Sequence, residues 1–500
     1  MPDRGAGFRA AHLPSSPPAA MARGGALFAR VRVSPNAALE IRAARVYTDK
    51  HNRRGRKPVT GRTRTGCSGA FAAVCQGGVR FRVIGKRIHK AHCHKNHKKE
   101  LYNTMGNTEK IKSAYSANGG IFKLLPVFVP RQFSAPGRRL RLHPDDYFAL
   151  GTPRGAIKER WFSSVIRCNN GPLAAEDEGY SYINMGGSER EITLKEAVEV
   201  LGAALIGQDM QDTYGTWPMY SKFFDYAVPL FHHLHLGFED AARVRCLGKP
   251  EAYYYPPQYN NYAGSNPATY FGFDPDCTRE QVRERLQQYL TGDNRITELS
   301  RAYRIELGTG WYTPPGVVHA PGSYLTYEPQ WNSDVNSVYE NVASGEVYPH
   351  DFLAENLPEE ERQDVDKAMA LMDWEKNVDP HYKKSYFRPP LPAAREEGVY
   401  EEKWVVYGNP YVGAKELTVW PGQSVTLRDS GAYGCILTQG HGTIGNYACE
   451  AAGMLRFGQE SADEFFVGAE AADRGVKIVN LSVEPLVMLK HFGPNHPEMP

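Results

Sequence analysis

The sequence predicts an all-β protein: two β-barrels in tandem, with helical decorations on the first. Three observations carry this. The 500 residues include 48 glycines and 35 prolines, so turns are plentiful. They include 29 tyrosines and 21 phenylalanines, which suit half-buried strands. After Glu402, short strand-like runs recur at even spacing between Gly-containing turns, the pattern of a barrel or sandwich.

Residues 1–104 stand apart. The first hundred hold 22 Lys+Arg against 4 Asp+Glu, and the remainder 37 against 52. The first stretch is rich in Arg, Gly, Ala and Pro without sustained periodicity. It reads as a basic, disordered extension, or as sequence upstream of a true start at Met105. Cys67, Cys75, His89, His92, Cys93, His94 and His97 are zinc-ligand residue types, but they lack a Cys-x2-Cys pair, which disfavours a zinc finger. An Arg-rich, acid-poor start keeps an organellar transit peptide open as an alternative to a cytoplasmic protein. The acidic remainder disfavours general nucleic-acid binding. No apolar run approaches the roughly 20 residues of a membrane span. Cys168, Cys246, Cys277, Cys435 and Cys449 are scattered and odd in number, which points to a reducing compartment rather than a disulfide framework.

Taken in order, residues 105–157 read as lead-in strands, with 121–128 the clearest. The first barrel is placed at 158–400. It opens on a strand at 160–168. A helix follows at 193–205, where Thr193 and Glu196 form a capping box and Leu194, Ala197, Val198, Leu201 and Leu205 share one face. The aromatic run 217–236 leads into a histidine cluster. A second helix is expected at 278–290, with Val282, Leu286, Tyr289 and Leu290 inward, and a third at 359–374, with Val365, Ala368, Met369 and Met372 inward. The second barrel, 401–500, is expected as strands at 417–420, 424–427, 434–438, 464–467, 476–482 and 487–491. Its His441, in the turn Gln439-Gly440-His441-Gly442, and its His491 are isolated, so it reads as degenerate and metal-free.

The chemistry lies in the first barrel. His233 and His235 are two apart on a predicted strand, so both imidazoles share a face and His232 points away. Glu251 follows in Lys249-Pro250-Glu251. His319 closes Gly308-x5-Pro314-x-Gly316-x2-His319. Three imidazoles and one carboxylate suit a borderline divalent ion with open positions. A lone His-x-His is more often a surface or core pair. The closing segment tips the balance, because it matches the second cupin motif up to its histidine, with Ser323 where an Asn usually ends it. Tyr253, Tyr254, Tyr255, Trp311 and Tyr312 surround these residues. Most are expected in the core, while Tyr253 shares the face of Glu251 and is the best candidate to touch substrate.

From about Lys158 to Asp334 the sequence resembles the type I mannose-6-phosphate isomerases, zinc enzymes of the cupin superfamily. The likeness runs through Lys158-Glu159-Arg160-Trp161, Asn170-Gly171, the 193–205 helix ending Leu205-Ile206-Gly207, Ser221-Lys222-Phe223-Phe224-Asp225, Lys249-Pro250-Glu251, 273–290, 313–322, Glu328 and Ser333-Asp334. The resemblance implies a bicupin fold and an aldose–ketose isomerisation through an enediol. It implies His233, His235, Glu251 and His319 as metal ligands, Lys249 as the acid/base, and Tyr253, Glu328 and Asp334 as substrate-binding residues. The cofactor would be one divalent ion, zinc first, with manganese, iron or nickel as alternatives. The partner would be a small-molecule sugar or sugar phosphate. Oligomeric state is left open.

Two departures stand out. His233 replaces the family's Gln, giving a three-His, one-Glu set also found in cupin oxygenases. Val338 stands where the family has an active-site Arg, and no Arg lies between Ile305 and Glu361. An oxygenase and a non-catalytic carbohydrate-binding cupin are therefore the rival readings.

Overall fold

The computed structural model describes residues 106–261 and 264–500. The basic extension, its Cys/His cluster and the transit-peptide alternative lie outside the described residues.

The described chain is mostly β, and the strands pair antiparallel throughout. A helix over 106–117 leads in. Two sheets enclose the candidate site. The seven-stranded one runs Phe387–Arg388, Gly310–Thr313, Glu251–Tyr254, Thr326–Trp331, Met219–Phe224, Ala156–Phe162, Val127–Arg131. The five-stranded one runs Ser337–Val338, His233–Leu234, His319–Ala320, Ala268–Phe273, Ser300–Arg304. They face each other, since Glu251 of the first lies 3.0 Å from His235 and 3.1 Å from His319. The C-terminal strands form an eight-stranded and a four-stranded sheet.

The seven-stranded sheet is buried on both faces, which follows from the period of two along its strands. Along Glu251–Tyr254, Glu251 and Tyr253 face the cavity. Ala252 and Tyr254 pack into the core that contains Val405, Ile436 and Leu489 of the C-terminal strands.

Several expected elements differ in detail. The strand at 121–128 is two strands, Ile121–Leu125 and Val127–Arg131, in different sheets. Pro126 has no N–H to give a ladder, so pairing breaks there and the chain changes sheet. The strand at 160–168 is Ala156–Phe162. It stops at Ser163, whose φ of 55° turns the chain. The helix at 193–205 carries the capping box at Thr193 but breaks at Gly202, φ 49°, into Leu194–Leu201 and Ala203–Ile206. A cap of this kind contributes about 1 kcal/mol. The helix at 278–290 is Arg279–Gln287. Val282, Leu286 and Tyr289 are buried as expected, but Leu290 lies past its end and is 72% exposed. The helix at 359–374 is a single turn at Glu359–Glu361 and two short helices, Val365–Ala370 and Trp374–Asn377. Asp364 and Asp373 each cap a new start, which is what divides it. Among the C-terminal strands, Ser424–Leu427 and Glu464–Val467 have the expected bounds. The Gln439-Gly440-His441-Gly442 turn is instead the entry to a hairpin, His441–Ile444 and Tyr447–Glu450, with its bend at Gly445.

A buried ion cluster ties the two pairs of sheets. Arg160 donates to both oxygens of Asp463 at 2.8 Å and to Glu464 at 3.4 Å. Burial pushes the Glu464 carboxyl up to about 8, against the opposing pull of Arg160. A carboxyl whose pKa is higher folded than unfolded holds its proton more tightly in the folded state. Its stabilisation is full below about 4.5 and is lost as pH rises through about 8. The expected result is a denaturation midpoint that falls between these pH values, by up to about 1.4 kcal/mol per pH unit. Glu464→Gln should flatten the slope, which urea melts at several pH values would read. An unchanged slope would assign it to other groups.

Among the described residues, no helix is long and apolar enough to cross a membrane. The five described cysteines are free thiols.

Candidate metal and substrate site

Strand pairing assembles the ligand cluster. His233 and His319 are direct cross-strand partners, and His235 follows two residues on. Their rings lie 4.3 to 5.1 Å apart between centroids. One ring nitrogen from each falls within 4.8 Å of the others, in the single such His/Cys/Asp/Glu group found among the described residues. His232 points away as expected and pairs with Glu340 at 2.7 Å.

The protonation pattern is fixed by backbone carbonyls. Nδ1 of His233 contacts Phe231 O at 3.0 Å, Nδ1 of His235 contacts Val335 O at 2.8 Å, and Nδ1 of His319 contacts Val317 O at 2.8 Å. A carbonyl can only accept, so each ring carries a hydrogen on Nδ1 and turns its Nε2 toward the cluster. Burial holds His235 down to about 3, and burial with the neighbouring imidazoles holds His233 well below its usual range. Both rings are therefore neutral. Glu251 is fully buried. Burial pushes its carboxyl up, but the basic groups around it, the Lys249 ammonium among them, outweigh that and leave it well below the usual range.

The oxygens of Glu251 lie 3.0 Å from His235 Nε2 and 3.1 Å from His319 Nε2. Both oxygens and His319 Nε2 nonetheless lack a partner in hydrogen-bonding geometry. The distances are short, but acceptor faces acceptor. Unprotonated nitrogens and a carboxylate converging without a proton between them fit a divalent cation. The positive group at hand is Lys249, whose Nζ lies 3.0 Å from His235 Nε2 and 2.9 Å from Glu251 Oε2.

Outward from this cluster the charges alternate. Lys249 reaches Glu328 at 3.4 Å, and Glu328 reaches Lys222 at 3.2 Å, its direct partner across the strand pair. Burial and then Glu251 push the Glu328 carboxyl up to about 8. Glu159 accepts from Arg131 at 2.9 and 3.0 Å, from Trp161 Nε1 at 2.8 Å and from the Tyr226 hydroxyl at 2.9 Å. Burial raises its carboxyl, but Arg131 and Lys222 outweigh that and hold it far below the usual range. Arg131 also donates to Asp334 at 3.0 and 3.1 Å. These groups line one cavity of about 360 Å³, at the lower end of the roughly 300–1,000 Å³ of small-molecule pockets.

Of the residues singled out from sequence, His233, His235, Lys249, Glu251, Tyr253, Glu328 and Asp334 all line this cavity, and His319 adjoins it through Glu251. Val338 does not line it; it is buried with Phe231, Ala343 and Tyr348. Tyr254 faces the other side of its sheet, where its hydroxyl donates to Glu416 at 2.7 Å. Tyr255 and Trp311 are apolar core. In the C-terminal sheets, His491 is buried against the Tyr327 hydroxyl at 2.9 Å, and His441 is exposed.

Sequence reasoning missed Arg131, Lys222 and Glu159 as cavity residues. Lys222 and Glu159 lie inside motifs noted for their order alone. The available signal was a charge at alternate positions of otherwise apolar strands, as in Val127, Val129, Arg131.

No family model matches the sequence, and no curated protein matches it. Solved structures do. The mannose 6-phosphate isomerase from Bacillus subtilis matches with a TM-score of 0.50 at 18% identity, covering 74% of this chain and 99% of that one. A zinc-bound mannose 6-phosphate isomerase matches at 0.49 and 11%, covering 75% and 100%. A phosphomannose isomerase variant from Salmonella typhimurium matches at 0.48 and 11%, covering 75% and 100%. The likeness to the Bacillus subtilis structure is one of fold: this chain shares the fold of the mannose-6-phosphate isomerases, a cupin-fold family.

Proposed function

We propose that this chain is a metal-dependent aldose–ketose isomerase acting on a sugar or sugar phosphate, built as a bicupin. The metal-binding barrel is 158–400 with its helical insertions, 105–157 leads in, and 401–500 is a degenerate barrel. The observation that carries this is the convergence of three Nδ1-protonated imidazoles and Glu251 beside Lys249 in one buried cavity.

His233, His235, Glu251 and His319 would hold one divalent ion, zinc first. When bound, such an ion acts as a Lewis acid toward the oxygens of the sugar. The rest falls to the chain. Isomerisation takes a proton from the carbon beside the carbonyl and returns one to the former carbonyl carbon. Lys249 is the candidate to carry it, as a free amine once its ammonium has passed a proton to Glu328, 3.4 Å away. Glu328 lies within 3.4 Å of Lys249 and 3.2 Å of Lys222, and fixes both ammonium groups. Tyr253, Glu328 and Asp334 supply the polar contacts that orient sugar hydroxyls. Burial of the site excludes water and strengthens each of these interactions. The protein would work in the cytoplasm.

The test is elemental analysis of the full chain, with and without His319→Ala, followed by ketose formation from aldoses and their phosphates. One equivalent of zinc, manganese or nickel, lost in the variant and required for turnover, is the expected result. The three-His, one-Glu set favours a second reading, an oxygenase. Bound iron with oxygen uptake and no isomerisation would establish that instead. No metal in either protein would leave a sugar-binding module.

A further inference from the structure

We infer that the cavity accepts an unphosphorylated sugar rather than a phosphate ester, because every cation among its described lining residues is already paired with a carboxylate. This rests on the isomerase reading and narrows its substrate class. Three cations line the cavity. Arg131 is held by Glu159 at 2.9 Å and Asp334 at 3.0 Å. Lys222 is held by Glu328 at 3.2 Å, and Lys249 by Glu251 at 2.9 Å.

A backbone donor of the lining is also engaged, since Asn169 N–H donates to Asp334 at 2.9 Å. Glu355 adds an exposed carboxylate to the lining. Away from the histidines, Glu159, Glu328, Asp334 and Glu355 therefore face Arg131, Lys222 and Lys249.

A phosphate entering such a cavity must lose its water and find a free donor, or pull a guanidinium or ammonium away from a buried carboxylate. Either is costly. A neutral sugar meets neither obstacle. Its hydroxyls donate to the carboxylates and accept from lysine without disturbing the ion pairs, and a cavity of about 360 Å³ suits one monosaccharide. Val338, apolar and outside the cavity, leaves no compensating cation on its strand.

The experiment uses the full chain loaded with zinc. Calorimetry would compare D-mannose, D-lyxose and D-fructose with mannose 6-phosphate and inorganic phosphate, and the aldoses would be assayed for ketose formation. The expected result is binding of a neutral sugar about tenfold or more tighter than its phosphate ester, with no competition from inorganic phosphate. Tighter binding of mannose 6-phosphate overturns the inference, as does failure of every neutral sugar to bind. Neutral-sugar binding without turnover sustains it while removing the isomerase reading.

Asp334→Asn frees one face of Arg131, so inorganic phosphate should then compete with the sugar, as it does not in the parent. Equal competition before and after, in a variant shown to be folded, would mean that this pairing does not exclude phosphate.

Discussion

Glu251→Gln should purify without its metal and lose activity by about a thousandfold or more, the scale of removing a group on which the reacting centre depends. The substitution keeps shape and removes charge. Among the described residues Glu251 is the only carboxylate in contact with the three imidazoles, at 3.0 Å from His235 and 3.1 Å from His319, so the rings would remain with no negative charge to balance a divalent ion. It also leaves the Lys249 ammonium buried with Glu328 at 3.4 Å as its remaining carboxylate. Metal content by elemental analysis and turnover should fall together. A variant that keeps its metal and its rate would show that the ligand set is wrong. A second readout is thermal: the parent should lose melting temperature when chelated, because a metal that binds only the folded state stabilises it, while the variant should not respond.

Arg131→Met should be the most destabilising single change at the cavity. The guanidinium bridges two buried carboxylates, Glu159 and Asp334, through four hydrogen bonds of 2.9 to 3.1 Å. Methionine fills much of the volume but leaves both carboxylates without their cation. Breaking a buried pair this way costs about 3–5 kcal/mol. Urea denaturation should show that loss, and adding Glu159→Gln to Arg131→Met should recover part of it, since one of the stranded charges is then gone. Full additivity of the two changes would mean that the residues do not act as a pair.

The candidate ligand cluster was legible as a cluster because its parts are local. His233 and His235 need only the alternation of a strand, and Lys249-Pro250-Glu251 and the turn before His319 are contiguous motifs. The capping boxes at Thr193 and Thr278 were legible in the same way, although only the first was read. Arg131 was not legible. It reaches Asp334 from 203 residues away, and the alternation of Val127, Val129 and Arg131 marks a buried charge without saying which carboxylate it meets. The break at Pro126 was readable in principle. Proline removes a ladder donor, but one apolar run on both sides of it looked like one strand. The divided helix at 359–374 failed for a similar reason: the apolar spacing persists across Asp364 and Asp373, and only the capping bonds show that the helix restarts.

Pro126 separates two strands with very different waiting times. Val127–Arg131 pairs with Ala156–Phe162, which leaves the ribosome soon after it. Ile121–Leu125 pairs with Tyr182–Ile183 along one edge and with Glu464–Val467 along the other, and this second partner emerges only after some 340 further residues, a delay of roughly 20–70 s at ordinary elongation rates. During that interval the cavity sheets can close while Ile121–Leu125 keeps a bare apolar edge, the feature that invites wrong pairing between nascent chains. Completion of the C-terminal sheet is therefore a late, high-contact-order event. A chain that stops near residue 400 would carry all four candidate metal ligands and still leave this strand without its C-terminal partner.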